Sequence, residues 1–519
     1  MAFRITYSVM NADLSELHKE FDAALSTLKK SFGAEYPSWV GGKPVTSGKF
    51  IEDYCPSDTR QLLGKFHVLP LEQIPQVLEI AKKAQKDWGR RPWQERVSIL
   101  RKAADLISER RLELAGIMVL EAGKNRLECL GDVEEAADLC RYYATQLEEA
   151  GGYDRPLGHL LPNEKTRDVM KPYGVFGVIA PFNFPVALAT GMSAAALLGG
   201  NTVILKPSQE TPWCGQKIYE CFRDAGMPDG VFQVIHGTGT EVGNALLRHP
   251  LLDGIAFTGS TRVGMEILHN FVRDMVKPCF MELGGKNPTI VCKDADLEKA
   301  SDGIVRSAFG ASGQKCSALS RIYVHKSVKD ALVEKLVAKT KALKFGDPAD
   351  KDTYLGPVIN RAAYERYVKA SEEARRDGKV LVGGHDARKD GPMAHGWFVP
   401  PTIVEIPHTH RLARDEHFLP FLTVHTFEDI PEALKLANDT EYGLTAGIFS
   451  EKKEDVDYFM DNIEAGIVYA NRRTGATTGA WPGVQSFCGW KKSGSSGKGG
   501  CGPYYVSQFM REQSQTRME

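Results

Sequence analysis

The pattern of hydrophobic and polar positions divides this chain of 519 residues into a helical first part and a mixed remainder. Between residues 14 and 28, hydrophobic side chains recur at helical spacing, which predicts an amphipathic helix near the N-terminus. The stretch 36–56 is rich in turn residues, and we expect loops there. From 71 to 150 the pattern predicts helices again, interrupted near Gly123.

Short apolar runs alternate with Gly- and Ala-rich helical stretches in the next part of the chain. The runs predicted as buried strands are Val175–Ile179, Thr202–Leu205, Val231–Ile235, Ile255–Phe257 and Thr289–Val291. The helices predicted among them are Leu188–Leu198, Cys214–Ala225, Glu241–Arg248 and Arg262–Asn270. This alternation predicts an α/β fold in which helices cover both faces of a parallel sheet. A second alternating block occupies about 297–469, and the tail 504–510 is strand-like.

Composition narrows the classes of function. The 65 basic and 66 acidic residues leave a formal net charge of −1, which argues against nucleic acid or an anionic membrane as the main partner. No apolar run reaches the roughly 20 residues of a membrane span, and the acidic N-terminus does not resemble a targeting peptide. The 10 cysteines are too sparse for a disulfide scaffold, and none of them pairs at metal-ligand spacing. We therefore expect a cytoplasmic protein with free thiols and no metal.

Several predicted strands run directly into short polar turns. Val231–Ile235 precedes a glycine-rich turn that contains Gly239 and Gly243, and Ile255–Phe257 leads into Thr258-Gly259-Ser260. Glycines after a strand let backbone N–H groups approach a pyrophosphate at a helix N-terminus, although one such turn alone is equally a structural turn. Lys206 ends another strand, where ligands bind in open α/β sheets; its alternative is an ordinary surface charge. Together these turns favour a dinucleotide site.

Three further residues suggest carbonyl chemistry. Cys316 lies among small and polar neighbours, so a carbonyl carbon could reach its sulfur. Glu282 precedes a pair of glycines and could activate water, and Asn183, held between prolines, could donate to an oxyanion. Each has a simpler interpretation: a buried thiol, a surface carboxylate and an Asn that stabilises its own turn.

In order along the chain, these motifs resemble the aldehyde dehydrogenase superfamily over nearly its whole length. The matching segments are the Asn183 motif, Lys206-Pro207-Ser208, the glycine turn, Phe257-Thr258-Gly259-Ser260, Glu282-Leu283-Gly284-Gly285-Lys286 and Gly313-Gln314-Lys315-Cys316. The resemblance implies a Rossmann-type cofactor domain at 1–151 and 168–283 and an α/β catalytic domain at 284–493. It also implies a small β oligomerisation element at 152–167 and 494–519, and hence a homodimer or higher homo-oligomer.

The resemblance also implies a role for each matching residue. Cys316 would be the nucleophile, Asn183 would complete an oxyanion hole with a backbone N–H, and Glu282 would activate the water that hydrolyses a thioester. The residues implied for binding NAD are Ala180, Pro181, Phe182, Lys206, Ser208, Gln209, Gly239, Gly243, Phe257, Thr258, Gly259, Ser260, Gly264, Leu283, Gly284, Glu416 and Phe418. The residues implied for binding the substrate are Glu135, Phe184, Lys315, Ser317, Gly479, Ala480 and Phe487.

Within the superfamily the chain most resembles the 1-pyrroline-5-carboxylate dehydrogenase branch. The resemblance rests on 313–321, on the N-terminal extension, and on the tail motifs at 479–487 and 502–505. It implies oxidation of glutamate γ-semialdehyde to glutamate in proline catabolism. The alternatives are another semialdehyde, a broad range of aliphatic aldehydes, or acyl transfer to coenzyme A; the presence of Glu282 argues against the last. Ser317 could instead simply leave room, and Glu135 could lie on a solvated helix face.

The sequence departs from the family pattern at several positions. Gln209 replaces the glutamate usual in NAD-preferring members, and the loss of that negative charge makes NADP an alternative cofactor. Phe182 stands where tryptophan is usual, and Leu419 replaces a glycine in the loop of Glu416, so that loop could be placed differently. The segment 471–490 is longer than the pattern and altered at Cys488 and Trp490. These last changes fall in the loop expected to bind the substrate.

Overall fold

A computed structural model describes residues 14–273, 275–388 and 391–519. The helices are α1 Ser15–Leu28, α2 Ile74–Arg90, α3 Trp93–Glu109, α4 Arg111–Ala122, α5 Arg126–Glu149, α6 Ala187–Leu198, α7 Pro212–Asp224, α8 Asn244–Leu247, α9 Thr261–Phe271, α10 Leu297–Phe309, α11 Lys329–Ala342, α12 Arg361–Asp377, α13 Arg411–Arg414, α14 Ile430–Asn438 and α15 Lys453–Asn462. Among the described residues no helix is long and apolar enough to cross a membrane.

The strands form two large sheets and several small ones. They are β1 Ala34–Tyr36, β2 Ser38–Val40, β3 Lys43–Val45, β4 Phe50–Tyr54, β5 Leu62–His67, β6 Asp154–Pro156, β7 Glu164–Pro172, β8 Val175–Ile179, β9 Thr202–Lys206, β10 Phe232–Val234, β11 Gly254–Thr258, β12 Cys279–Glu282, β13 Asn287–Val291, β14 Leu319–His325, β15 Lys379–Val382, β16 Thr402–Glu405, β17 Phe421–Phe427, β18 Tyr442–Gly443, β19 Thr445–Phe449, β20 Ile467–Ala470, β21 Trp490–Lys491 and β22 Met510–Met518.

The predicted parallel sheet is confirmed. The first large sheet has the strand order β12-β11-β8-β9-β10-β2-β3, and its strands from β12 to β10 are parallel. The second has the order β15-β16-β17-β14-β13-β19-β20 and is parallel except for β15. Parallel sheets need helical crossovers, which explains the alternation of apolar runs and helices along the chain.

Some local predictions are wrong. The stretch 36–56 is not only turns, because the short strands β2, β3 and β4 lie within it. The helix expected at Glu241–Arg248 is a π-helical turn, Gly239–Gly243, followed by only one turn of α-helix in α8. The tail 504–510 contains a 3-10 helix, Val506–Phe509, and the strand β22 begins only at Met510.

The tail is misread because its hydrophobic side chains enter the core of the molecule. The Phe509 ring lies 5.2 Å from Phe176 and 4.9 Å from Phe280, and Tyr505 stacks on Tyr143 at 5.3 Å. Strand β22 that follows is polar and pairs with β7 in an antiparallel sheet with β6. Strand β7 extends to Pro172 and so passes the domain border predicted at 167. The division into domains stays a prediction.

Helix α5 passes through the interior of the molecule and forms one wall of a cavity. Asn125 caps its N-terminus by accepting from Glu128 N at 3.0 Å, and its amide donates to the Glu128 carboxylate at 2.9 Å. A turn later, Asp132 accepts from Lys124 Nζ at 2.7 Å and from the Ala187 N–H, at the start of α6, at 2.7 Å. Both charged side chains of this ion pair are almost fully buried, with exposed fractions of 3% and 0%.

We predict that Asp132→Asn lowers the free energy of unfolding by about 3–5 kcal/mol, because it leaves the Lys124 ammonium buried without its counter-charge. Urea denaturation followed by circular dichroism measures the change. The matched control is Glu365→Gln, which breaks an ion pair with Arg361 whose side chains are 77% and 50% exposed. That variant should leave the denaturation midpoint nearly unchanged. Equal, small effects of the two substitutions would contradict the prediction.

Candidate functional site

The carboxyl ends of the parallel strands of the first sheet bring the predicted cofactor motifs together. Ile179, the last residue of β8, pairs with Lys206 of β9, and the Ala180 N–H donates to the Lys206 carbonyl at 3.2 Å. On the other side of β8, Thr258 of β11 pairs with Glu282 of β12. The reversal of strand order beside β8 is the place where open α/β sheets bind ligands.

Lys206 is a buried cation next to the glycine turn. Its side chain is 3% exposed, and burial lowers the pKa of the ammonium to about 8. Its Nζ donates to the Pro207 carbonyl at 3.1 Å, and within the described ranges it forms no ion pair. A Cβ added to Gly243 would lie 3.6 Å from Lys206 Cε. This ammonium therefore keeps donor capacity for a polar ligand beside the turn.

The turns on either side are open to a ligand. An added Cβ on Gly239 would meet nothing within 4 Å, so a phosphate could approach its backbone. Ser260 caps helix α9 by accepting from Val263 N at 3.4 Å, and Gly264 in that helix packs closely on Leu283. Helix N-termini stabilise anions through their free N–H groups.

Around the end of β9, the side chain of Gln209 is exposed, and its amide donates to Glu210 at 3.4 Å. Ser208 Oγ accepts from Glu210 N at 3.2 Å. At position 209 the chain therefore presents a neutral side chain to solvent rather than a carboxylate held in place.

The Glu416 loop reaches the glycine pair that follows Glu282, despite the Leu419 departure. Glu416 accepts from the Gly285 N–H at 3.0 Å, and a Cβ on Gly284 would lie 2.1 Å from its carboxylate. Leu419 is buried in an apolar cluster, while its carbonyl packs on Gly313. The Leu419 side chain therefore packs in an apolar cluster while Glu416 still reaches the glycine pair.

The aromatic residues next to this loop pack together. Phe418 has a backbone φ of 57°, in the left-handed region, and meets the Phe182 ring edge-on at 5.8 Å. Phe182 thus fills the place of the usual tryptophan with an aromatic contact. The two rings belong to the predicted cofactor set.

A cavity of about 400 Å³ lies between helix α5, helix α6 and the loops at 311–317 and 478–480. Its walls include every residue predicted to bind the substrate: Glu135, Phe184, Lys315, Ser317, Gly479, Ala480 and Phe487. Cys316, Glu282 and Thr258 also line it. Asn183 is buried directly before the lining residue Phe184, in the turn between β8 and α6, and is not itself among the lining residues.

Cys316 is held by its backbone. A tight turn at Gly310–Gly313, in which Ala311 and Ser312 have left-handed φ values of 49° and 54°, leads into it. The Asn287 amide donates to the Cys316 carbonyl at 2.7 Å and to the Ala318 carbonyl at 2.8 Å. The backbone is therefore fixed from the neighbouring strand β13, while the sulfur stays at the cavity.

Both reactive groups are kept neutral by burial. Desolvation, followed by the charges of Glu282 and Glu416, raises the pKa of the Cys316 thiol to about 12. Desolvation raises the pKa of Glu282 well above its usual value, and its Oε2 is buried without a hydrogen-bond partner in the described structure. A buried carboxyl oxygen without a partner can accept from a water or a substrate group.

Charged groups of both signs surround the rest of the cavity. A Cβ on Gly310 would lie 2.6 Å from Lys315 Nζ and 2.9 Å from Glu128 Oε1, so these two groups meet there. Desolvation lowers the pKa of Lys315, partly opposed by Glu128. Glu135 is only 9% exposed, on the face of α5 that forms the wall. The alternative of a solvated surface helix face is therefore wrong for this residue.

The sequence reasoning missed several lining residues. Lys124 stacks its ammonium 4.0 Å from the centre of the Phe184 ring, and Tyr143 accepts from the Cys501 N–H at 3.1 Å. On α5 the lining residues 128, 135, 139 and 143 recur at helical spacing. That spacing could have indicated a shared face, but the mixed charges of the segment obscured it.

Comparisons with known proteins identify related sequences and structures. The Aldehyde dehydrogenase family model matches residues 43–514. A 1-pyrroline-5-carboxylate dehydrogenase of a Geobacillus species is 36% identical over 506 residues, which cover 96% of each chain. A Thermus 1-pyrroline-5-carboxylate dehydrogenase with bound NAD superposes with a TM-score of 0.93 at 34% identity, covering 100% of this chain and 99% of that one.

A larger protein also contains a similar unit. Proline utilization A from Bdellovibrio bacteriovorus superposes with a TM-score of 0.91 at 37% identity over 96% of this chain. The chain spans about half of that protein, 52% of its length. The match of the family model over most of the sequence, together with these relatives, shows that the chain belongs to the aldehyde dehydrogenase family.

Proposed function

We propose that the protein oxidises L-glutamate γ-semialdehyde, the open form of 1-pyrroline-5-carboxylate, to L-glutamate with NAD. The observation that carries this proposal is the cavity, whose lining includes the Cys316 thiol, the Glu282 carboxyl and groups suited to both ends of an amino acid. The Glu135 carboxylate suits the substrate ammonium. Ser317 and the loop of Gly479 and Ala480 suit its carboxylate, through a hydroxyl and backbone N–H groups.

The residues at the carboxyl edge of the first sheet fit NAD. The buried Lys206 ammonium, with donors to spare, and the Glu416 carboxylate suit ribose hydroxyls, and the open glycine turn with the start of α9 suits the pyrophosphate. When bound, the nicotinamide accepts the hydride that leaves the substrate carbon. Because Gln209 carries no negative charge, we propose that NADP is also accepted, more weakly.

In the first chemical step, the Cys316 thiol gives up its proton to solvent, and the resulting thiolate adds to the aldehyde carbon. The developing oxyanion accepts hydrogen bonds from Asn183 and a backbone N–H. Loss of hydride leaves a thioester on Cys316. Glu282, in its deprotonated form, then removes a proton from water, which attacks the thioester and releases the acid and the thiol. For each aldehyde, one water and one NAD are consumed, the acid and NADH are formed, one proton is released, and the thiol is regenerated.

A dimer or larger homo-oligomer is part of this proposal. Among the described residues, no strand pairs with the outer edges of the antiparallel sheet of β6, β7 and β22, and Leu160, in the hairpin between β6 and β7, is 93% exposed. A second subunit could cover such an edge. The 10 cysteines are all free in the structure, which supports a cytoplasmic location.

The substrate is tested with a panel of aldehydes: glutamate γ-semialdehyde, succinic semialdehyde and pentanal, each with NAD and with NADP. We expect the highest kcat/KM for glutamate γ-semialdehyde with NAD, because only this aldehyde offers both a carboxylate and an ammonium to the cavity. A higher kcat/KM for pentanal would overturn the proposed substrate. If addition of coenzyme A yields acyl-coenzyme A, that product would instead support the acyl-transfer alternative.

The role of Glu282 is tested with Glu282→Gln. We expect one equivalent of NADH per subunit in a burst, followed by steady-state turnover about 10²–10⁴-fold below that of the wild type, because the thioester forms but is not hydrolysed. Stopped-flow absorbance at the NADH band measures both phases. Cys316→Ala is the matched control and should show no burst while still binding NAD. Unchanged steady-state turnover in Glu282→Gln would exclude Glu282 as the essential base.

The protonation state of Cys316 predicts how its alkylation depends on pH. Because burial raises the pKa of the Cys316 thiol to about 12, the thiolate fraction and the rate of reaction with iodoacetamide should rise about tenfold per pH unit from 7 to 9. Peptide mass mapping follows Cys316 separately from the other cysteines. A free cysteine peptide alkylated in parallel should approach its plateau near pH 9. A rate for Cys316 that is flat above pH 7 would contradict the prediction.

A further inference from the structure

The peptide groups at 478–480 present two N–H donors without acceptors. Within the described residues, neither the Gly479 N–H nor the Ala480 N–H has a hydrogen-bond partner, although both residues line the cavity. Buried or half-buried backbone donors are otherwise almost always paired. Ser317 Oγ adjoins them, 4.0 Å from the position of a Cβ on Gly479. A hydroxyl and two backbone N–H groups thus belong to the same part of the cavity wall.

Tyr469 fixes the orientation of these peptide groups. Its hydroxyl, on strand β20, donates to the Thr478 carbonyl and lies 3.2 Å from the Gly479 carbonyl. In a trans peptide the C=O and the following N–H point in opposite directions. With both carbonyls turned toward Tyr469, the N–H groups of Gly479 and Ala480 point away from it.

The hydroxyl is well placed to remain a donor. Burial raises the pKa of Tyr469 to about 12, so the phenol stays protonated throughout the working range. The Arg472 guanidinium lies 4.5 Å from the centre of its ring. The ring belongs to a small apolar cluster against which Cys316 and Phe487 pack. Tyr469 therefore ties the donor pair to the surroundings of the nucleophile.

Trp481 ties the same loop to helix α5. Its indole N–H donates to Asp138 Oδ2 at 2.9 Å, and its carbonyl closes the next turn by accepting from Val484 N at 3.0 Å. Asp138 is 7% exposed and lies three residues after Glu135, on the same face of the helix. The loop that presents the two N–H donors is thus joined to the helix that carries the Glu135 carboxylate.

We propose that Tyr469 and Trp481 are positioning residues that set the selectivity for aldehydes bearing an α-amino acid group: Tyr469 orients the Gly479 and Ala480 donors toward the carboxylate, and Trp481 fixes their distance from Glu135. This inference rests on the proposed function. It predicts that each side chain acts on recognition of the amino acid end and not on the chemistry at Cys316.

The test compares Tyr469→Phe and Trp481→Phe with the wild type on glutamate γ-semialdehyde and on pentanal, at saturating NAD. Tyr469→Phe removes the hydroxyl that orients the two N–H donors, which would weaken their hydrogen bonds to the charged carboxylate, so we expect the KM for the semialdehyde to rise about 10- to 100-fold, with kcat within about twofold. The kcat/KM for pentanal should stay within about twofold. Trp481→Phe should shift the KM in the same direction. Tyr364→Phe, which removes a hydroxyl bonded to Asp386 at 3.0 Å outside the cavity, is the matched control and should change neither substrate.

A second measurement does not depend on turnover of the semialdehyde. L-Glutamate should inhibit pentanal oxidation competitively in the wild type, and its inhibition constant should rise about 10-fold or more in Tyr469→Phe. Turnover of pentanal shows in the same assay that the variant is folded.

The outcomes separate the two proposals. A wild type that prefers pentanal overturns the proposed function, whatever the variants do. If the wild type prefers the semialdehyde and both variants keep that preference, the proposed function stands and the positioning roles are wrong. An equal loss of activity toward both aldehydes would assign Tyr469 and Trp481 a purely structural role, which also overturns the inference.

Discussion

The buried ion pair between Lys124 and Asp132 joins the walls on which the rest of the site depends. One oxygen of Asp132 accepts from the Lys124 ammonium and the other from the Ala187 N–H at the start of α6, while the ammonium faces the Phe184 ring. Desolvating two charges is costly, and here the cost is offset because each has a specific partner. The pair thereby fixes the turn of Asn183 against helix α5.

The same burial controls the chemistry. Desolvation raises the pKa of both the Cys316 thiol and the Glu282 carboxyl, so both groups are neutral at neutral pH. A neutral thiol is a weak nucleophile, and a neutral carboxyl is no base. Each group must therefore lose its proton before the step in which it acts. Cys316 also gains from rigidity, because Asn287 holds its backbone on both sides of Ser317.

How much the sequence could predict depends on whether an interaction is local in sequence or joins distant parts of the chain. The ends of parallel strands meet at one edge by topology, so Lys206, Thr258 and Glu282 could be placed together from local patterns alone. The structure of the tail could not be predicted in this way. Phe509 lies in a helical turn rather than in the expected strand because it packs against aromatic rings that are distant in sequence. The burial of Glu135 could not be predicted from the sequence either, because it also depends on contacts between distant segments. Only the packing of α5 against α3 and α6 decides that the helix face of Glu135 is buried.

The loop at 478–481 shows most clearly why a substrate site resists sequence reasoning. Its donors are backbone N–H groups, which leave no signature in the side chains. These N–H groups are distinguished by the direction of the carbonyls in the same peptide groups, those of Thr478 and Gly479. Tyr469, which lies nine residues before Thr478 and ten before Gly479, sets that direction. The distance to Glu135 is in turn set through an indole bonded to Asp138, 343 residues away in sequence. An amino acid has two charged ends at a fixed separation, so a site selective for it needs two rigidly related anchors. The contacts of Tyr469 and Trp481 hold the two anchors at a fixed separation. On an unrestrained loop, Gly479 and Ala480 would bind a carboxylate whatever its distance from an ammonium, and the site would not be selective for an amino acid.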